Sequence, residues 1–510
     1  MKRPTSNTQH RTSNPAKGRR VEFIGRWMFD VRCSMFLAMM LAVAGCTRFH
    51  PQPISPEQTA AQLESRRLND PGLQKFLEKN LGHDLPDWPL EKWDLNSLTL
   101  AAFYFHPDLA VARAQWRLAD AGVKTAGARP NPSVTVTPAY DSQIPGNPSP
   151  LMVPVTLDVP IETAGKRARR IAEAQDVSQS AWWDLITIAW QIRSGVRASL
   201  LDFTIAGRRV DLLAAQLAAQ EQIVKLLQQR LGAGEISRPE LTTAQIALNK
   251  TRLDAGDAQT QLANARSELA QSLGVGSLAV DGLHLAFDFS ARAPDDLTST
   301  SARRVALLGR SDIRGALADY AAAQDDLRLQ IAKQYPDLHL GPGYAWNSGN
   351  AGDNEWSLGL TLELPILDQN QGPIAEAKAR RELAAAQFVA RQAKAIGEIE
   401  RALTGYRVAN AQLKIGETLL ATEQQQEQSV EAQQQAGAAD QLDLFSARAE
   451  FGTAALAGLD GQAKFQTALG ALEDALQRPA DVLSVAVNTA VLTNFVQYPL
   501  QISGEKEPHP

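Results

Sequence analysis

Two carboxylates stand out as groups that could act on something passing by. Asp158 opens the triplet Asp158-Val159-Pro160 and Glu363 opens Glu363-Leu364-Pro365, each on the polar side of a segment that alternates residue by residue. Repeated around a water-filled passage, such acids would favour cations; as ordinary solvated charge they would do no more than wet a wall. A second acidic set, Glu427, Glu431, Asp440 and Asp443, surrounds a turn and could narrow or charge a passage there. Bond-making chemistry has no footing: there is no phosphate loop, no paired-cysteine zinc motif and no serine nucleophile elbow. His50, His83, His106, His284 and His339 show no ligand spacing, and five of the six Met residues precede residue 46, leaving only Met152. A methionine relay for a soft metal is therefore not expected. The chain reads as a non-enzyme with no cofactor and no resident metal.

The thiols are two, Cys33 and Cys46. The uncharged apolar run between them is shorter than the roughly 20 residues a spanning helix needs. Arg26 and Arg32 flank its start, and Val43-Ala44-Gly45-Cys46 ends it with small residues, so residues 1–45 read as a signal peptide. The tetrapeptide resembles a lipobox, which makes Cys46 the first mature residue and its lipid-bearing anchor. An ordinary signal peptide with an incidental Cys is the plainer alternative, and Met28 offers a second start. Formal net charge is −5 overall although the leader is basic, so nothing invites nucleic acid.

The elements that position these residues come in two copies. Pro107-Asp108-Leu109 matches Ser311-Asp312-Ile313, and Pro132-Ser133-Val134 matches Pro336-Asp337-Leu338, both at a shift of 204; Gly234 meets Gly437 at 203. A period this long means one large unit written twice: residues 91–290 and 300–477, preceded by a segment 46–90 and followed by a tail 478–510.

Within each copy two strands are expected, over 133–141 and 151–160, then 337–346 and 355–364. One face carries Val134, Val136, Val153, Val155, Leu340, Tyr344, Trp356, Leu358 and Leu360; the other carries Thr135, Thr156, Asp158, His339, Ser357, Thr361 and Glu363. Apolar toward lipid and polar toward a lumen, with Tyr140, Tyr344, Trp346 and Trp356 as a girdle, is the pattern of membrane-barrel strands. The edge of a soluble sandwich is the alternative. Pro138, Pro154 and Pro342 each remove a ladder donor, so those strands must kink, bulge or lose a pair. Four strands cannot close a barrel alone, and membrane placement would require oligomers.

Long helices are expected over 163–231, 237–273, 371–436 and 440–477, the first roughly 100 Å long at 1.5 Å per residue. Leu241, Leu248, Ala255, Leu262 and Leu269 keep strict heptad spacing with small residues between them, a coiled-coil seam. A shift of 203 maps it onto Leu444, Phe451, Gly458, Phe465 and Leu472. At the hairpin turns, Gly232, Gly234 and Ser237, and then Gly437 and Asp440, fit a helix stop followed by an N-cap. Hairpins need such residues whether or not anything docks there.

On HPDLAVARAQ, ARPNPSV, DVPIETAGKRARR, ELPILDQNQGPIAEAKARR, RLGAGEISRPEL and QAGAADQLDL, the chain resembles the outer-membrane efflux channel family, the TolC type, over nearly all of its mature length. GKR after the second strand and DQNQG after the fourth are most like the heavy-metal (cobalt, zinc, cadmium) efflux subgroup, although Ala164 stands where that joint usually has its first glycine. The resemblance implies a fold that is mainly α with a β-barrel portion: a homotrimer whose twelve strands close a membrane barrel above a periplasmic α-barrel of coiled-coil helices. It also implies a passive exit duct in the cell outer membrane, reaching into the periplasm. The duct would serve an inner-membrane pump, of the proton-driven resistance-nodulation-division type, through a periplasmic adaptor at the hairpin turns. Heavy-metal cations are the expected cargo; drugs, solvents or polypeptides are the alternative, and a lipid-tethered coiled-coil scaffold without a pore is a third.

Overall fold

A computed structural model describes residues 49–140, 151–347 and 354–480. Cys46 and the leader, most of both strand-to-strand connections, and the chain beyond Ala480 lie outside the described residues. The chain divides into a short unit, Met1–Ala61, and a large one, Gln62–Pro510. Of the first, the described residues give the opening turns of helix α1 (Pro56–Ser65), which buries none of its side chains.

The large unit is the duplicated body. After α2 (Pro71–Leu81), its first copy runs β1 (Lys92–Trp93), α3 (Leu95–Phe105), α4 (Pro107–Ala126), β2 (Ser133–Val136), β3 (Ala139–Tyr140), β4 (Leu151–Ile161), α5 (Lys166–Ala233), α6 (Arg238–Leu273) and β5 (His284–Leu285). The second runs α7 (Thr300–Gly309), α8 (Ser311–Ala332), β6 (Leu338–Asn347), β7 (Glu355–Leu362), α9 (Gln371–Gln435) and α10 (Gln441–Leu476). Helices α5 and α9 are 68 and 65 residues long, and packing against their neighbours along a small-residue seam holds them in place. On α6 the buried positions Leu248, Thr251, Ala258, Ala265 and Leu269 follow the heptad, and on α10 Leu444, Ala447, Ala454, Phe465 and Leu472 do the same.

Each long helix packs beside two shorter ones laid end to end. α4 and α6 both lie along α5, and α8 and α10 both lie along α9. At the first junction Gly274 stops α6 in the left-handed conformation, φ 73°, and a Cβ there would stand 2.9 Å from His106 Cα, closer than packed atoms allow. Arg66 staples that junction, donating to the carbonyls of Phe105 and Gly274 at 2.6 and 2.9 Å. At the second, Gln477 is left-handed and accepts from the Ser311 N–H at 2.7 Å, while Arg310 donates to the Ala475 carbonyl at 2.9 Å. Arginine caps orphan helix carbonyls at both junctions.

Apart from the parallel β1–β5 pair, the described strands form one antiparallel sheet in the order β2-β4-β6-β7, with β3 continuing β2 along β4. The strand expected over 133–141 is broken at Pro138, yet Ser133↔Asp158 and Ala139↔Met152 share one register, so the break costs a ladder bond without slipping the pairing. Pro342 acts similarly: β4 and β6 pair on either side of it in one register, and it pairs directly with Leu358 of β7. The fourth strand ends at Leu362, two residues earlier than expected, because the Ile366 N–H turns back to the Leu364 carbonyl.

Where α5 crosses α10, charge is buried. Arg193 and Arg197, 2% and 6% exposed, both reach Glu473, at 3.1 and 3.4 Å, and Arg197 also donates to the Gln466 carbonyl at 2.8 Å. Gly470 makes room for that guanidinium, which would occupy the position of any Cβ there. Glu473 also accepts the Ala480 N–H at 2.8 Å, and Gln466 reaches the Phe289 carbonyl, so the cluster ties α5 and α10 to the chain after α10 and to the segment between the two copies. Glu473→Ala would leave two guanidiniums buried without their counter-ion, and we expect a loss of roughly 3–5 kcal/mol in denaturant unfolding of the detergent-solubilised protein. A loss no larger than an exposed pair gives, under about 1 kcal/mol, would show the network to be dispensable.

Candidate pore wall and hairpin tips

The register fixes which side chains share a face. Val134, Val136, Val153, Val155, Val159, Leu338, Leu340, Tyr344, Trp346, Trp356, Leu358, Leu360 and Leu362 lie on one side. On that side Trp356, Leu358 and Leu360 are 82%, 77% and 65% exposed, far more bare apolar surface than a water-facing sheet carries. Tyr140, Tyr344, Trp346 and Trp356 gather at the loop end of the sheet, Tyr344 and Trp356 with ring centroids 4.8 Å apart. The other side carries Ser133, Thr135, Thr156, Asp158, His339, Ser357 and Thr361.

That polar side is also bare, for a different reason. Asp158 lies level with Gly341 and Gly359, and Thr156 pairs with Gly343, so beside the acid the sheet offers backbone instead of side chains. A Cβ on Gly343 would stand 2.5 Å from Ser357 Oγ. Asp158 therefore projects from a smooth wall, and its partner is His339, whose Nδ1 lies 3.1 Å from each carboxylate oxygen. Reading the sequence put His339 on the polar side but paired it with nothing; the diagonal contact follows only once β4 and β6 are in register.

Glu363 lies just past the end of β7. It lines a cleft of about 680 Å³ together with His339, Asp337, Lys166, Arg170 and Lys333, so it shares a cavity with the histidine that meets Asp158. The cleft's floor is the first strand-to-helix joint. Ala164 and Gly165 are both left-handed, at φ 53° and 70°, and turn the chain so that Lys166 Nζ, buried, meets Asp337 at 2.8 Å and the Thr163 N–H meets the same oxygen at 2.9 Å. Burial alone would raise the Asp337 carboxyl, but these donors and the Lys166 charge hold it below the usual range. Alanine in that conformation costs about 1–2 kcal/mol that glycine would not. Arg167 and Arg170 of the GKRARR motif cap α4, donating to the carbonyls of Gly127 at 2.7 Å and Ala128 at 3.1 Å. At the equivalent joint Asn370 is left-handed, φ 59°, and its amide reaches the Gln330 carbonyl at 2.7 Å.

At the far end of the helices, Gly234 and Gly437 are left-handed at φ 80° and 77°, whereas Gly232 still belongs to the last turn of α5. Ser237 and Asp440 are the N-caps of α6 and α10. Ser237 bonds Glu240, and Asp440 accepts from the N–H groups of Leu442 at 2.7 Å and Asp443 at 2.9 Å. Those N–H groups, with the Arg230 guanidinium, hold the Asp440 carboxyl below the usual range. Arg230 is on the first hairpin and Asp440 on the second, so an ion pair joins the two turns. Glu427 and Glu431 both meet Arg448, at 3.5 and 3.3 Å, which offsets much of the negative charge expected around this turn.

Residues 103–275 and 302–477, the two copies, match the family model described as outer membrane efflux protein. The cobalt-zinc-cadmium resistance protein CzcC of Cupriavidus metallidurans is 27% identical over 240 residues, 46% of this chain and 55% of that protein. The pyoverdine export outer membrane protein OpmQ of Pseudomonas aeruginosa is 24% identical over 304 residues, 54% of this chain and 62% of that protein. The alignments thus span less than two thirds of either relative. In fold, the outer-membrane channel OprN superposes with a TM-score of 0.62 at 19% identity, covering 85% of this chain and 99% of that one.

The two faces of the sheet should respond oppositely to charge. Leu358→Arg is expected to cost about 2–4 kcal/mol if that side meets acyl chains, and Thr361→Arg on the other side much less. The amount of folded protein recovered from outer-membrane fractions reports both; equal recovery of the two variants would contradict the assignment of faces.

Proposed function

The chain belongs to the outer membrane efflux protein family, and from that premise we propose that three copies of it form the exit duct of a tripartite pump. It is an outer-membrane efflux channel, mainly helical and internally duplicated, and a transport protein; a scaffold without a pore is not what such a family contains. The observation that carries the trimer is the sheet itself: four strands with one apolar face and two unpaired edges, β2 and β7. In lipid every backbone polar group needs a partner, and a neighbour's β2 beside β7 supplies it. The helices support the same closure. Ile246 and Leu253 on α6, and Val408 and Ile415 on α9, are exposed at seven-residue spacing on the two outermost columns, suited to meet across a seam between copies.

Lipid on Cys46 would tether the duct, an assignment that rests on the tetrapeptide before it. Ser237, Asp440 and the glycines Gly232, Gly234 and Gly437 would present the turns to a periplasmic adaptor, with an inner-membrane transporter of the proton-driven kind supplying energy. Asp158 and Glu363 would contribute six carboxylates to one level of the lumen in a trimer, favouring cations. Heavy-metal cations are the cargo we favour, supported by the likeness to CzcC; the likeness to OpmQ supports the second reading, an organic cargo.

Reconstituted protein should conduct in planar bilayers with cation preference, and Asp158→Asn combined with Glu363→Gln should lower that preference several-fold. Unchanged preference would remove the ring from the account, and no conductance would remove the duct. A strain lacking the gene should lose resistance to cobalt, zinc or cadmium salts while keeping its resistance to organic dyes and drugs; the reverse pattern would move the cargo to the organic class.

A further inference from the structure

The two copies differ where each begins. In the first, α3 is buried almost throughout: α2 lies over it, and the β1–β5 pair holds the flanking segments. Ala101 is 0% exposed, and Tyr104 stacks on Phe76 of α2 at 5.6 Å. At the repeat shift of 204, Ala101 becomes Val305 and Tyr104 becomes Leu308 on α7. These are 63% and 66% exposed, larger or equally apolar, and side by side on one helix face. Beside them opens a cleft of about 290 Å³ lined by Trp183, Ile186, Trp190, Leu297, Val305 and Gly309. The second copy has kept the apolar face but, among the described residues, has no counterpart of α2 to cover it.

We propose that the C-terminal segment after Ala480 is that cover. The chain arrives at the right place: Leu476, Gln477 and Arg478 themselves line the cleft, and Ala480 is buried in the same cluster as Leu297 and Ala306. Its direction there is set by the Glu473 carboxylate, which accepts the Ala480 N–H. The segment also has the right chemistry. Between Asp481 and Glu505 it carries no charged side chain, and it offers Val482, Leu483, Val485, Val487 and Leu492 to an apolar surface. Placing such a stretch in water while Val305 and Leu308 stay bare would forgo apolar burial on both sides. Chain order explains the asymmetry: the first copy is covered by residues that precede it, and the second can be covered by residues that follow it.

A photoreactive p-benzoylphenylalanine in place of Leu308, in the full-length protein, tests this directly. The expected product is an adduct within one chain, mapped by mass spectrometry to residues 482–496. Adducts joining two copies would assign the face to a neighbouring subunit and overturn the proposal, as would adducts to a separate protein or none at all. In a second measurement, truncation after Ala480 should raise amide hydrogen exchange of α7 at least tenfold while leaving α3, whose cover is intact, unchanged. Equal exchange of α7 with and without the segment would also overturn it.

Discussion

An extended strand in lipid has no water to fall back on, and this one constraint governs the molecule. Its sheet holds four strands in tight register, yet both outer edges carry unpaired N–H and C=O groups beside a face of Val, Leu and Trp. Such a sheet is stable neither in water, where the apolar face is a liability, nor alone in a bilayer, where the edges are. Closure by further copies satisfies both demands, and the exposed heptad positions on α6 and α9 repeat the same demand along the helices. Under the proposed closure, the polar side of the sheet, with its glycines beside Asp158, would face inward as a consequence and not as a separate design.

Duplication explains how one chain presents two strand pairs and two helical hairpins with matched geometry. Two joints kept their backbone shape while exchanging side chains: Gly165 and Asn370 are left-handed at equivalent places, as are Gly274 and Gln477, while Gly234 and Gly437 kept both. Arg66 and Arg310 perform the same capping from different positions in the chain. Conformation was held more tightly than chemistry, as expected where a turn must meet a fixed packing partner.

Much of this was legible from residue order, because periods of two and of seven are strong signals and each occurred twice. The strand faces, the heptad seams and the hairpin turns were all readable from spacing. Less visible was anything that depends on register or on crossing helices. His339 could be placed on the polar side but not against Asp158, since the contact is diagonal across two strands. Neither the Arg193-Arg197-Glu473 cluster nor Arg230 reaching Asp440 has a local signature; in each, the acid lies more than 200 positions from its arginine. Pro138 and Pro342 looked like reasons for a bulge and turned out to cost only a ladder bond each, because the pairing on either side holds the strand in line.

The end-to-end columns have a mechanical corollary. Of the four rods in each chain, α5 and α9 are unbroken, while the other two are spliced where α6 abuts α4 and where α10 abuts α8. A beam spliced at one height and clamped there by Arg66 and Arg310 resists shear along its length but concentrates bending at the splice. A force applied at the hairpin ends would bend these two columns first at their splices, while the unbroken α5 and α9 carry the load past that level.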